Sequence, residues 1–170
     1  MITEVLFPTV IYRGSVTIDS KTFNDYKKWI EVEKLITPPP PETTTHCGYQ
    51  RVFGPSDKMP LWLDNVMLQL SEILDELSLP IKSSWVVSYE AGGFQDPHIH
   101  SSSKYTLIVN ILGIGDLLLF DPRPIAVALT ESFAKNIILN PGDWIVFPGT
   151  LSHSSRPCIG TRDILVIDFK

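Results

Sequence analysis

The sequence predicts a mainly β fold: a barrel with two or more helices from the N-terminal half packed on one outer sheet face. Three observations carry this. After Pro80, short β-branched and aromatic runs alternate with glycine, proline and aspartate turns. Before it, two segments carry apolar residues at helical spacing. The length of 170 residues with 44% hydrophobic content suits one sizeable core and is short for two ordinary ones, so residues 1–170 are expected to form a single domain. Within it, helical support spans about 19–78 and a β core about 83–169.

Residues 4–12 (EVLFPTVIY) read as a strand interrupted by Pro8, and a proline there implies an edge position. Residues 20–35 read as a helix capped by Asp19 or Ser20, with Phe23, Tyr26, Ile30 and Leu35 on its apolar face. The four prolines 38–41 end it. The polar, turn-rich stretch to about Lys58 reads as loop. Residues 60–77 form the clearest helix, with Leu63, Val66, Leu70, Ile73, Leu74 and Leu77 in register and Pro60 in the first turn. Seven runs then read as strands: SSWVVSYE, YTLIVNIL, GDLLLF, IAVALT, KNIILN, DWIVF and RDILVIDF.

A net charge of -5 and the lack of a basic stripe disfavour nucleic acid as a partner. No apolar run approaches the ~18 residues of a membrane helix. The start, MITEVLFPTV, lacks a basic region followed by a long apolar stretch, so no secretory signal is expected. Cys47 and Cys158 form no disulfide framework or metal knuckle. The expectation is a cytoplasmic protein with free thiols.

The chemistry concentrates in three histidines. His98 and His100 lie two apart in QDPHIH, so on a strand both point to one face. His153 follows a turn, a strand and a Pro-Gly corner in PGDWIVFPGTLSH. If the strands near 98–100 and 143–147 are neighbours, that corner returns His153 to the pair. Three neutral imidazoles suit a divalent transition metal and leave three positions open on an octahedral ion, enough for a bidentate co-substrate and dioxygen. Asp96 joins the same face if the strand begins early. The competing reading is an exposed or hydrogen-bonded HxH pair. His46, beside Cys47 in a threonine-rich loop, reads as a surface residue.

Arg162 shares its strand face with Ile164 and Val166, so it reads as inward, and an inward guanidinium requires an anion whose planar carboxylate fits its fork. Tyr89 and Tyr105 are candidate hydroxyl donors to that carboxylate, or core aromatics. Asn110, in an otherwise apolar strand, points into the pocket or caps a bend. No Ser–His–Asp or Cys–His nucleophilic set appears.

Together the runs WVVSYEAGGFQDPHIH, GDLLLFDPRP, NPGDWIVFPGTLSHSSRP and GTRDILVIDF resemble the double-stranded β-helix (jelly-roll, cupin-like) core of the Fe(II)- and 2-oxoglutarate-dependent oxygenases. Small members of that family from phages and marine bacteria match best, and the opening LFPTVIY resembles their start. The resemblance implies iron ligands at His98 and His153 and a 2-oxoglutarate-binding cation at Arg162. It also implies hydroxylation of an unactivated C–H in a small molecule or peptidyl residue, with release of succinate and CO2. The family's second ligand is most often a carboxylate, and here that place holds His100. His100 substitutes as a neutral ligand, or Asp96 supplies the acid, or the metal site is structural. A third neutral ligand leaves the iron more positive, which favours an anionic co-substrate and disfavours oxidation of the metal. Two other readings stay open: a three-histidine cupin-type dioxygenase without 2-oxoglutarate, and a β-barrel interaction module with a vestigial site. The rim of the barrel mouth is expected from residues 37–58, which read as a lid, and the loops near 90–97 and 121–125.

Overall fold

The computed structural model describes residues 2–6, 9–40, 44–123 and 133–170. Pro8 and the expected strand IAVALT lie outside the described residues.

The chain opens with β1 (Ile2–Leu6) and β2 (Thr9–Ser15), an antiparallel pair that closes at Leu6 and Thr9. This corrects the single strand expected over 4–12: the break near Pro8 is a reversal of direction. Helix α1 (Ser20–Ile36) starts as expected, with the Asp19 carboxylate accepting from the Thr22 N–H at 2.7 Å. It buries Thr22, Tyr26 and Ile30, while Leu35 is exposed.

Strand β3 (Thr45–Val52) occupies a stretch expected to be loop. Its sequence is polar and its ladder comes from a neighbour, so local composition carries no strand signal; tertiary pairing decides it. The expected helix over 60–77 is two, α2 (Leu61–Gln69) and α3 (Ser71–Leu77), with the break at Leu70, where φ is -85° and ψ is -4°.

β4 (Ile81–His98) is 18 residues long and spans both layers of the fold. Its first half pairs with β10 (Arg162–Phe169), and its far end pairs with β9 (His153–Ser155). The strand turns between these halves at Ala91–Gly93, where Gly92 takes a φ of +82° that only glycine adopts readily. Then follow β5 (Tyr105–Leu112), β6 (Gly115–Phe120), β7 (Ala134–Leu139) and β8 (Asp143–Pro148). All described pairings are antiparallel, in the order β1-β2-β8-β5-β10-β4-β9-β6-β7, with β3 also on β4. The sheet curls into a half-barrel of the double-stranded β-helix, jelly-roll type, with the helices packed against it.

Two apolar layers result. Between the curled halves lie Val87, Ile108, Ile145, Phe147, Ile164 and Val166, facing Leu117, Leu119, Ile137 and Leu139. On the outer face, Leu107, Val109, Ile111, Leu165 and Ile167 meet Tyr26, Trp62, Leu63, Val66 and Leu70 of the helices. Trp62 is 1% exposed; burying an indole removes roughly 200 Å² from water, about 5 kcal/mol by area. Strand β5 is thus covered on both sides, and its face assignment cannot be read from hydrophobicity.

Candidate metal centre

His98 ends β4, and its backbone pairs with His153 at the start of β9. His153 therefore reaches the pair through a ladder with β4. β8 itself is not a ladder partner of β4; it pairs with β2 and β5. His100 lies just past the end of β4, tied by its N–H to the Gly149 carbonyl at 2.7 Å. One potential ligand nitrogen from each of His98, His100 and His153 lies within 4.8 Å of the others. The His98 and His153 rings are 4.2 Å apart, and His100 stands 5.2 and 5.1 Å from them.

The partners of Nδ1 set the tautomers. His98 Nδ1 meets the Asp96 carbonyl at 2.7 Å, and His153 Nδ1 meets the Leu151 carbonyl at 3.0 Å. A carbonyl only accepts, so both Nδ1 atoms carry the proton and both Nε2 lone pairs are free. His100 Nδ1 meets the Asp168 carboxylate at 2.6 Å. Burial, then repulsion from His98, lowers the His153 pKa to about 3; burial also lowers that of His98. Neutral imidazoles with one fixed N–H each are the form in which histidine ligates metals. This donor set fits a divalent transition ion.

Asp168 was missed by the sequence reading. It lies on β10, buried, and its Oδ1 accepts from both His100 and Thr106 Oγ1, the latter at 2.7 Å. Burial alone would raise its pKa, but these hydrogen bonds outweigh it and hold the carboxyl below the usual aspartate value. The signal was present: Asp168 shares the parity of Arg162, Ile164 and Val166. Asp96 does not complete the metal set. Its carboxylate is exposed and turned to His46 Nε2 at 2.6 Å, and His46, stacked on Phe94, is a surface residue as expected.

Arg162 is 2% exposed at the start of β10, directly across the ladder from Tyr89. Its Nε donates to Asn110 Oδ1 at 3.0 Å and its Nη1 to the Asp116 carbonyl at 3.1 Å. Among the described residues no carboxylate lies within ion-pair distance of it. Burial lowers its pKa, as it does for any cation lacking a counter-charge. Asn110 is fully buried and donates to the Gly113 and Leu139 carbonyls, so its amide positions the guanidinium. Tyr89 lies on the inner face, its phenol pushed up to about 12 by burial, and donates to Gln95 Oε1 at 2.9 Å. Tyr105 is not brought to the site: it packs into the helix-covered layer, because it has the opposite parity to Thr106 and Asn110.

A cavity of about 600 Å³ opens beside His98 and His100. Thr44, Gln50, Gln95, Trp85 and Asp168 help line it, and Trp85 Nε1 is buried without a hydrogen-bond partner. The rim segment thus includes strand β3, which supplies Gln50.

No family model matches the chain, and no curated protein matches it. Solved structures share its fold. A prolyl-4-hydroxylase from Pseudomonas putida superposes with a TM-score of 0.67 at 14% identity, covering 94% of this chain and 91% of that one. A prolyl hydroxylase from Trichoplax adhaerens, in complex with a hypoxia inducible factor peptide fragment, gives 0.65 at 9% identity over 94% and 82%. A viral collagen prolyl hydroxylase from Paramecium Bursaria Chlorella virus-1, in a 2-oxoglutarate complex, gives 0.60 at 16% identity over 94% of each chain. The class defined is a double-stranded β-helix protein with a three-histidine facial cluster in place of the usual two histidines and one carboxylate.

Proposed function

We propose that the chain is an Fe(II)- and 2-oxoglutarate-dependent oxygenase acting on an unactivated C–H of a small molecule or peptidyl residue, as one cytoplasmic domain. One observation carries the reading: a buried guanidinium with no carboxylate partner among the described residues lies on the same inner sheet face as a metal-fit histidine cluster. In this reading His98, His100 and His153 hold the iron, and Arg162 binds the distal carboxylate of 2-oxoglutarate. Asn110 and Tyr89 support that end. The likeness to prolyl hydroxylases, one of them in a 2-oxoglutarate complex, supports it at the level of the fold.

Bound iron supplies dioxygen activation coupled to decarboxylation of the oxo acid to succinate and CO2. The protein's own groups bind and orient. The two carbonyls and the carboxylate behind the Nδ1 atoms hold each imidazole edge-on to the shared centre. Phe147, its ring 4.8 Å from that of His153, keeps the inner side dry. The polar lining of the cavity, with Thr44, Gln50 and Gln95, suits a substrate with hydrogen-bonding groups.

That no carboxylate joins the histidine cluster among the described residues favours the rival, a three-histidine dioxygenase that uses no oxo acid; Arg162, buried with no carboxylate partner among those residues, favours the oxygenase. The test is anaerobic loading with Fe(II), addition of 2-oxoglutarate, and measurement of a visible charge-transfer band and of slow succinate release. The band is expected in wild type and lost in His98→Ala and His153→Ala. Tight metal binding without band or succinate selects the rival reading. No metal uptake leaves only an interaction module.

A further inference from the structure

The carboxylate missing from the ligand position is present one bond further out. We propose that Asp168 is the charge-supplying carboxylate of this metal centre, acting as a positioning residue through His100. This deepens the reading above and rests on its metal centre, though not on the oxo acid.

Three features single out this contact. First, the three imidazoles are not backed alike. His98 and His153 spend Nδ1 on neutral carbonyls, and His100 alone spends it on a carboxylate, at 2.6 Å. Second, Asp168 is built in. Its side chain is 7% exposed, and Thr106 Oγ1 donates to the same Oδ1 at 2.7 Å, fixing the oxygen that faces the imidazole. Third, among the described residues no lysine or arginine pairs with it, so its negative charge is not spent on a protein cation.

A neutral three-histidine set leaves the full charge of a dication at the site. A carboxylate hydrogen-bonded to a ligating imidazole pushes electron density onto Nε2, strengthens its bond to the metal and cancels part of that charge. The centre then resembles two histidines and one anionic ligand, with the anion delivered through the His100 ring. The same contact fixes the His100 tautomer, with the proton on Nδ1 and the Nε2 lone pair free.

The experiment titrates Co(II), alone and without oxo acid, into wild type and variants, reading the visible bands and competing with a chromophoric chelator. Asp168→Asn keeps the shape and an acceptor oxygen but removes the charge. It is expected to weaken Co(II) roughly 10–100-fold and to shift the bands. Thr106→Val, which leaves Asp168 charged but less fixed, is expected to give a smaller loss and serves if Asp168→Asn does not fold. The discriminating arm is His100→Asp. With a carboxylate already at position 100, Asp168→Asn is expected to leave affinity unchanged or raise it, because two adjacent carboxylates repel. An Asp168→Asn affinity within twofold of wild type overturns the proposal. So does an equal loss in both backgrounds, which marks a structural role. A wild type that takes up no Co(II) overturns the metal centre and this proposal together. A wild type that binds Co(II) tightly but ignores 2-oxoglutarate overturns only the oxygenase reading.

Discussion

Replacing Arg162 by methionine separates a functional cation from a structural one. The side chain fills a similar volume but loses its charge, the bond to Asn110 Oδ1 at 3.0 Å and the bond to the Asp116 carbonyl at 3.1 Å. Stranding two buried acceptors costs roughly 1–3 kcal/mol each. Against this, removing a buried cation that has no carboxylate partner among the described residues returns several kcal/mol of desolvation, as an order of magnitude. The terms oppose each other, so the net change is expected to stay within about 2 kcal/mol, a Tm shift under roughly 8 °C for a domain of this size. Binding of 2-oxoglutarate has no such compensation. Truncating one partner of a buried charge pair costs about 2–5 kcal/mol, a loss of roughly 30- to 4,000-fold in affinity. Calorimetric titration of 2-oxoglutarate into Mn(II)-loaded protein, with thermal melts alongside, measures both. A variant that binds 2-oxoglutarate within threefold of wild type but melts far lower would show that the arginine only holds the fold, and the reasoning would fall.

Two further outcomes follow from contacts near this site. In Gly115→Ala a Cβ would overlap Cδ and Nε of Arg162, so the guanidinium must move without losing its charge. The expected result is a 2-oxoglutarate affinity down roughly tenfold or more with Co(II) affinity unchanged, since about 1.4 kcal/mol of misplacement suffices; equal binding would show that the arginine is not pinned. Asp163, on the helix side of β10, has a pKa raised by burial above the usual aspartate value, against partial relief from Ser88 and Tyr26. Its folded state therefore holds the proton more tightly than the unfolded chain. Stability from this group is full below the unfolded pKa and declines as pH rises through the folded one. Asp163→Asn is expected to raise the urea midpoint at pH 7 and to flatten its pH dependence above pH 4; a lower midpoint at pH 7 refutes this.

The parts of the site written in residue spacing were legible. HxH, the return to His153 and the inward face of Arg162 need only alternation and a turn, and each takes its expected place. For Tyr105 the core-aromatic reading, not the donor reading, is the one the packing follows. Tyr105 lies five residues from Asn110, so the two cannot both point inward on one strand. Because β5 is apolar on both faces, nothing in its pattern exposed the conflict. Asp168 failed differently. An aspartate two residues from the last lysine reads as a solvated strand end, and its burial appears only once β5 brings Thr106 and the turn after β4 brings His100. Strand β3 was likewise hidden, because its partner β4 lies outside any local window.

In the oxygenase reading, the fixed position of Arg162 also sets a length for the co-substrate. Its Nε and Nη1 are committed to Asn110 and the Asp116 backbone, and Gly115 packs against its Cδ, so the guanidinium cannot follow a shorter or longer diacid. The histidines are anchored just as firmly by carbonyls and by Asp168. An oxo diacid must span the gap between two immobile ends. One methylene more or fewer in a fitted site is worth about 1–3 kcal/mol, or roughly 10–200-fold. Oxaloacetate and 2-oxoadipate are therefore expected to bind the Mn(II)-loaded protein at least tenfold more weakly than 2-oxoglutarate. Arg162→Lys, whose flexible stem lacks the Nε bond to Asn110, should bind all three diacids more weakly and narrow the gap between them. Equal binding of the three by wild type would mean that the cation is not the far anchor. A lysine variant with undiminished selectivity would place the length filter elsewhere than at the cation.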